Sequence, residues 1–124
     1  MTRIISVLFV VLGACTGNHE ASSIAEDVGL EFFAQKLNDE VLLLDVRTPS
    51  EYKAGSIAGA INIDIQSASF TDEIAVLNKD KPVLLYCRSG MRSAKAMAIM
   101  KKKGFQELYN LKGGYLAWRE YESR

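Results

Sequence analysis

Pro82-Val83-Leu84-Leu85-Tyr86-Cys87-Arg88-Ser89-Gly90-Met91-Arg92 carries an apolar run into a cysteine and then into a turn, beyond which Ser93 to Lys103 shows a helical pattern. The run from Pro82 to Tyr86 is short, continuous and bounded, as in a strand covered on both faces. A thiol where such a strand gives way to a helix lies beside backbone N–H groups that have no intrahelical partner, and Arg88 and Arg92 add positive charge in the same turn. Both favour the thiolate, so Cys87 should ionise below the free value of about 8.5. The same turn forms a cradle for a small anion. A free cysteine can equally be an inert core residue; the flanking sequence favours the reactive reading.

Outward from this point, apolar runs and helical patterns alternate. Upstream, Leu30, Phe33, Ala34 and Leu37 recur at helical spacing before the strand-like run Val41-Leu42-Leu43-Leu44. Thr48-Pro49-Ser50-Glu51 reads as a helix start, with Thr48 as N-cap, Pro49 at the first helical position and Glu51 closing a capping box. Ala60 to Ile63 is a short strand and Ala68 to Leu77 an amphipathic helix. Downstream, the helix from Ser93 should turn Ala94, Met97, Ala98 and Ile99 inward and end at Lys101-Lys102-Lys103-Gly104. Glu107 to Leu111 gives a further strand, and Gly113-Gly114 leads into a last helix containing Trp118, which is expected to serve packing. This order predicts an α/β fold: a mainly parallel sheet of about five short strands flanked by helices. Ligands in such sheets bind at the carboxyl ends of the strands. Cys87 follows one such end, and Asp45-Val46-Arg47 follows another.

The chain has 124 residues, with Lys plus Arg and Asp plus Glu at 15 each, so one domain is expected, with no global field to recruit nucleic acid. Residues 1–14 read as an export signal: Arg3, then the apolar-dominated Ile4 to Leu12, then small residues before Cys15. The apolar part is too short to span a bilayer core, which takes about twenty residues. Leu12-Gly13-Ala14-Cys15 resembles the lipobox of bacterial lipoproteins, which implies acylation of Cys15 and attachment to a membrane through its lipid. Residues 15–27 then form a flexible tether and 28–124 the folded domain, with position 22 as the earliest start for a first short strand. An acylated Cys15 leaves Cys87 as the one free thiol in an oxidising compartment. His19, the only histidine, falls in the tether, so no histidine base or metal ligand is expected in the domain.

Four segments in order resemble a single-domain rhodanese-like sulfurtransferase: Leu44-Asp45-Val46-Arg47 with Glu51-Tyr52, Gly55 to Asn62, Tyr86 to Arg92, and Leu111-Lys112-Gly113-Gly114 with Ala117-Trp118. The resemblance implies a cysteine persulfide intermediate without a cofactor. Cys87 would attack the outer sulfur of thiosulfate, sulfite would leave, and the bound sulfur would pass to a thiol or to cyanide. Arg88 and Arg92 would attract the anionic donor, and the amides of Arg88, Ser89, Gly90, Met91 and Arg92 would hold the terminal persulfide sulfur. Asp45 and Arg47 match the family pattern, either orienting the loop or forming a buried ion pair, with Glu51 as one candidate partner of Arg47.

Cysteine phosphatases use a loop one residue longer than the four residues between Cys87 and Arg92, so the shorter cradle suits sulfur better than a phosphoryl group. Ser56 and Ala58 stand where the family usually has histidine and proline, a departure that bears on turn rigidity more than on thiolate chemistry. The main alternative is a non-catalytic sulfur carrier or regulatory binding module on the same fold; a thiol redox protein would need an external resolving thiol. The expected location is the bacterial cell envelope, as an exported, periplasm-facing lipoprotein, with the outer membrane as one candidate.

Overall fold

The computed structural model describes residues 22–124 together with Gly13. Apart from Gly13, the export segment, Cys15 and His19 lie outside the described residues. The elements alternate along the chain as β1 (Ile24–Val28), α1 (Leu30–Lys36), β2 (Leu42–Asp45), α2 (Pro49–Ala54), β3 (Ile61–Asn62), α3 (Phe70–Ala75), β4 (Val83–Tyr86), α4 (Met91–Lys102), β5 (Glu107–Leu111) and α5 (Gly114–Glu122). The five strands form one sheet in the order β1-β5-β4-β2-β3, every pairing parallel. This is the helix-flanked α/β sheet expected from the alternation of patterns. Asp45 lies opposite Tyr86 in the β2–β4 ladder, so the motifs that follow these two strands emerge side by side at the carboxyl edge.

Strand β4 is buried along its whole length, and its alternation sorts the core into two layers. Val83, Leu85 and Cys87 face the side covered by Phe70 and Ile74 of α3 and Ala96 and Met100 of α4. Leu84 and Tyr86 face the opposite side, with Phe33 of α1 and Trp118 of α5; the last two rings meet edge-on at 6.1 Å between centroids. Each leucine so buried contributes about 1.5–3 kcal/mol relative to an exposed one. Cys87 continues the β4 alternation, which aims its sulfur beneath the start of α4.

Helix α2 has six residues and no buried side chain, so its ends must hold it. Thr48 Oγ1 accepts from the Glu51 amide at 3.3 Å while Glu51 Oε1 accepts from the Thr48 amide at 3.4 Å, and Pro49 occupies the first turn. A cap of this kind is worth about 1 kcal/mol.

Three expectations need correction. The stretch 24–27, placed in the tether with a first short strand from position 22 left open, belongs to β1, whose residues pair with β5 from Ile24 opposite Glu107 to Val28 opposite Leu111. Only Val28 of this edge strand is buried, so the hydrophobic alternation that marks a strand is missing. Helix α4 begins at Met91 rather than Ser93 and buries Ser93, Ala96 and Met100, whereas Ala98 is exposed. Its phase is set by a polar residue, Ser93, turned onto the cysteine. Helix α3 is shorter than the span 68–77, starting after Ser69, because Ser67 and Ser69 form a turn ahead of it.

Candidate active site

The turn after β4 wraps around one atom. The Gly90 amide donates to Cys87 Sγ at 3.0 Å, and Ser93 Oγ donates to it at 3.3 Å. Burial, the largest single influence on this thiol, pushes its pKa up; the Ser93 hydroxyl and the amides of Ser93, Gly90 and Ser89 together outweigh it, and the pKa is lowered. The N-terminus of the 12-residue α4 points the same way. Cys87 is 1% exposed, so it is a buried thiol whose charged form is held chiefly by hydrogen bonds.

A second helix holds the turn in shape from below. The Tyr115 and Leu116 amides at the start of α5 donate to the carbonyls of Cys87 and Arg88 at 2.8 and 3.2 Å. With these carbonyls turned down, the loop amides are free to turn toward the sulfur. So close an approach demands glycine: a Cβ on Gly114, which has φ +57°, would lie 2.6 Å from the Arg88 carbonyl. Gly90, the residue before α4, adopts φ +105°, and its carbonyl accepts from Asn110 Nδ2 at 3.1 Å.

The two arginines of the turn differ. Arg92 is held by both oxygens of Glu51, at 2.7 and 2.8 Å. That guanidinium, through its hydrogen bond, holds the Glu51 carboxyl down at about 2. Arg88 is exposed and makes no salt bridge among the described residues. Hence Arg88, next to Cys87 in the chain, is the arginine of the turn whose charge is not compensated among the described residues. Ser89, Gly90 and Met91 line a groove of about 260 Å³ on the far side of the loop with Asp27, Asn110 and Lys112, and Met91 is 73% exposed.

Arg47 pairs with Asp45, not with Glu51: its Nη2 lies 2.6 Å from Asp45 Oδ2, and both side chains are buried. The sequence shows two carboxylates within reach of Arg47, and the sheet decides between them. Asp45 ends β2 beside the Arg47 backbone, whose amide donates to its Oδ1 at 3.0 Å, whereas Glu51 faces across to α4. Arg47 also donates to the Gly55 carbonyl at 2.6 Å and stacks 4.3 Å from the Tyr115 ring centroid. Burial, then the neighbouring Asp45 carboxylate, push the Tyr86 phenol up, so it stays neutral, and its oxygen accepts from the Ile57 amide at 3.0 Å. This network fixes the loop between β2 and α2 beneath α5 and does not touch the sulfur.

Cys87, Ser89, Gly90 and Arg92 thus meet in one cradle, with Arg88 and Met91 at its rim and Asp45 and Arg47 behind it. Ser93 and Glu51 are the members a reading of the chain does not single out. Ser93 has a usable signal, being the third residue of a helix that opens on a thiol. Glu51 is legible as a capping residue, but its hold on Arg92 spans 41 positions and leaves no local mark.

A family model described as a rhodanese-like domain matches residues 30–121. The chain belongs to the rhodanese-like family. Among solved structures, this rhodanese-like chain is similar to a human single-domain sulfurtransferase at 27% identity and a TM-score of 0.65, covering 77% of this chain and 96% of that one. A sulfurtransferase of Allochromatium vinosum is 35% identical over 97 residues, which is 77% of this chain and 89% of the relative. A tRNA uridine(34) hydroxylase of Pelagibacter ubique is 39% identical over 82 residues, but the rhodanese-like chain spans only 27% of that protein's length.

Proposed function

We propose that this rhodanese-like domain is a thiosulfate sulfurtransferase working through a persulfide on Cys87. The observation that carries the reading is the convergence of the Gly90 amide and the Ser93 hydroxyl on one sulfur, at 3.0 and 3.3 Å, in a turn whose backbone is held by α5. A thiolate kept ready in this way needs no general base. It attacks the sulfane sulfur of thiosulfate; the new S–S bond forms as the old one breaks, and sulfite leaves with the electron pair. Arg88 draws in the dianion, and the N-terminus of α4 stabilises the charge left on the bound sulfur. A thiolate or cyanide then attacks that outer sulfur and returns the electron pair to Cys87.

Intact mass spectrometry tests this directly: incubation with thiosulfate should leave the protein heavier by one sulfur atom, and cyanide should remove it as thiocyanate. Cys87→Ser should do neither. Wild-type protein that never gains the sulfur refutes the reading. A sulfur carrier loaded by a protein partner is the second reading, and it predicts a stable persulfide with negligible turnover on small donors. The leader around Arg3 and the sequence Leu12-Gly13-Ala14-Cys15 support an exported protein anchored by lipid on Cys15. Cys15→Ala should release it from membrane fractions, and unchanged fractionation would count against the anchor.

A further inference from the structure

Gly90 supplies an amide to the sulfur, yet a glycine populates either sign of φ about equally and has no side chain to hold it in place. Its φ of +105° has to be imposed by its partners. The Gly90 N–H donates to Cys87 Sγ at 3.0 Å. Its carbonyl accepts from the Ala94 amide at 3.2 Å, the first bond of α4, and from Asn110 Nδ2 at 3.1 Å. Asn110 stands on β5 opposite Leu85 of β4 and Asp27 of β1. Two residues on from Leu108, it shares the sheet face of Leu108 and Leu85, the layer to which Cys87 also belongs.

The same Nδ2 donates to Asp27 Oδ1 at 2.9 Å. Both of its partners are acceptors, so the amide can meet them only with its nitrogen, and its orientation is fixed. Asn110 is 2% exposed, and its Oδ1 has no hydrogen-bond partner among the described residues. A buried carbonyl left in that state carries a desolvation cost that an apolar side chain of similar shape does not. Packing alone would favour leucine at this position; what the amide adds is its hold on Gly90.

We propose that Asn110 is a positioning residue of the active turn: Asp27 orients its amide, and the amide holds the Gly90 carbonyl so that the Gly90 N–H stays on Cys87 Sγ. The edge strand β1 is thereby linked to the sulfur by hydrogen bonds from Asn110 to Asp27, Asn110 to Gly90 and Gly90 to Cys87. The assignment deepens the sulfurtransferase reading, in which a thiolate awaits its donor, but alkylation tests it without any sulfur donor.

The full chain is treated with iodoacetamide across a range of pH, and modification of Cys87 is followed by peptide mass spectrometry. Asn110→Leu should keep or raise the melting temperature while moving the pH midpoint of the rate upward; below the wild-type midpoint the rate should fall about fivefold. Arg88, Arg92, Glu51, Asp27 and Lys112, the charged groups around the loop, are unchanged in this variant, so the shift reads the Gly90 amide. Gly59→Ala strains a glycine whose added Cβ would meet nothing within 4 Å, and it should leave the midpoint in place. Asp27→Asn and Asp27→Ala lose the same charge, but only the first keeps an acceptor for Asn110, so Asp27→Ala should have the higher midpoint. A wild-type midpoint in Asn110→Leu overturns the proposal; should that variant not fold, equal midpoints in the two Asp27 variants overturn it. Wild-type protein that forms no persulfide from thiosulfate overturns the sulfurtransferase reading and leaves the role of Asn110 standing.

Discussion

Ser93 Oγ donates to Cys87 Sγ across 3.3 Å, so the first turn of α4 supplies a side-chain hydroxyl as well as backbone amides to the nucleophile. A hydrogen bond to a charged group contributes about 1.5–3 kcal/mol. Ser93→Ala should therefore slow alkylation of Cys87 by iodoacetamide at neutral pH about tenfold or more, with little change in melting temperature. Because the folded thiol ionises below the free value, the variant's alkylation rate should need a higher pH to reach its plateau, and the pH profile of kcat/KM for thiosulfate should move with it. An unmoved profile would mean that the amides act alone.

Arg92 holds the Glu51 carboxyl at about 2, against an ordinary value of 4.5. A depressed carboxyl contributes stability that is fully present above its unfolded pKa and is lost as pH falls through the folded one. Wild-type stability attributable to this pair should therefore drain away between about pH 4.5 and 2. Denaturant unfolding across that window should show a shallower acid dependence for Glu51→Gln than for the wild type. Parallel curves would show that the pair contributes nothing to folding.

Gly114 and Gly59 both have positive φ, +57° and +85°, but only Gly114 has backbone where a Cβ would go. Gly59→Ala should cost about 1–2 kcal/mol through backbone strain alone. Gly114→Ala must push the Cys87–Arg88 backbone aside as well, so it should lose thiosulfate activity far beyond any loss of stability, with the thiol's alkylation slowed in step. Equal activity in the two variants would separate the cradle from α5.

Asp45 and Arg47 are a buried pair, and removing one partner of such a pair costs about 3–5 kcal/mol. Asp45→Asn should lower the free energy of unfolding by about that much, read from denaturant titration, while persulfide still forms at temperatures where the variant is folded. Loss of the persulfide step in folded protein would give Asp45 a part in the chemistry.

The sequence makes the sheet legible because its central strands are buried on both faces and so appear as uninterrupted apolar runs, Leu42 to Leu44 and Val83 to Tyr86. The cradle is legible because strand, cysteine and helix start are contiguous. What the chain conceals follows from pairing across distance. β1 has the composition of a loop and becomes a strand only because β5 offers it an edge. Arg47 has two acids within reach, and the lateral position of β2 decides the choice. The role of Arg92 changes once Glu51 is seen to occupy it, which leaves Arg88 as the arginine of the turn without an acidic partner among the described residues. Gly113-Gly114 reads as a helix entry, while its use as the floor of the active loop depends on α5 passing beneath a turn more than 20 positions upstream.

The pairing of Ile24 with Glu107 has a directional consequence. All strands run the same way, so the polypeptide enters β1 at one edge of the sheet and Cys87 sits toward the other, about 16 Å further along at 3.3 Å per strand residue. The backbone at Ile24 therefore lies on the side of the domain away from the turn that holds Cys87. Under the lipid anchor proposed for Cys15, a domain tethered by that end would carry the turn of Cys87 on its far side, away from the bilayer.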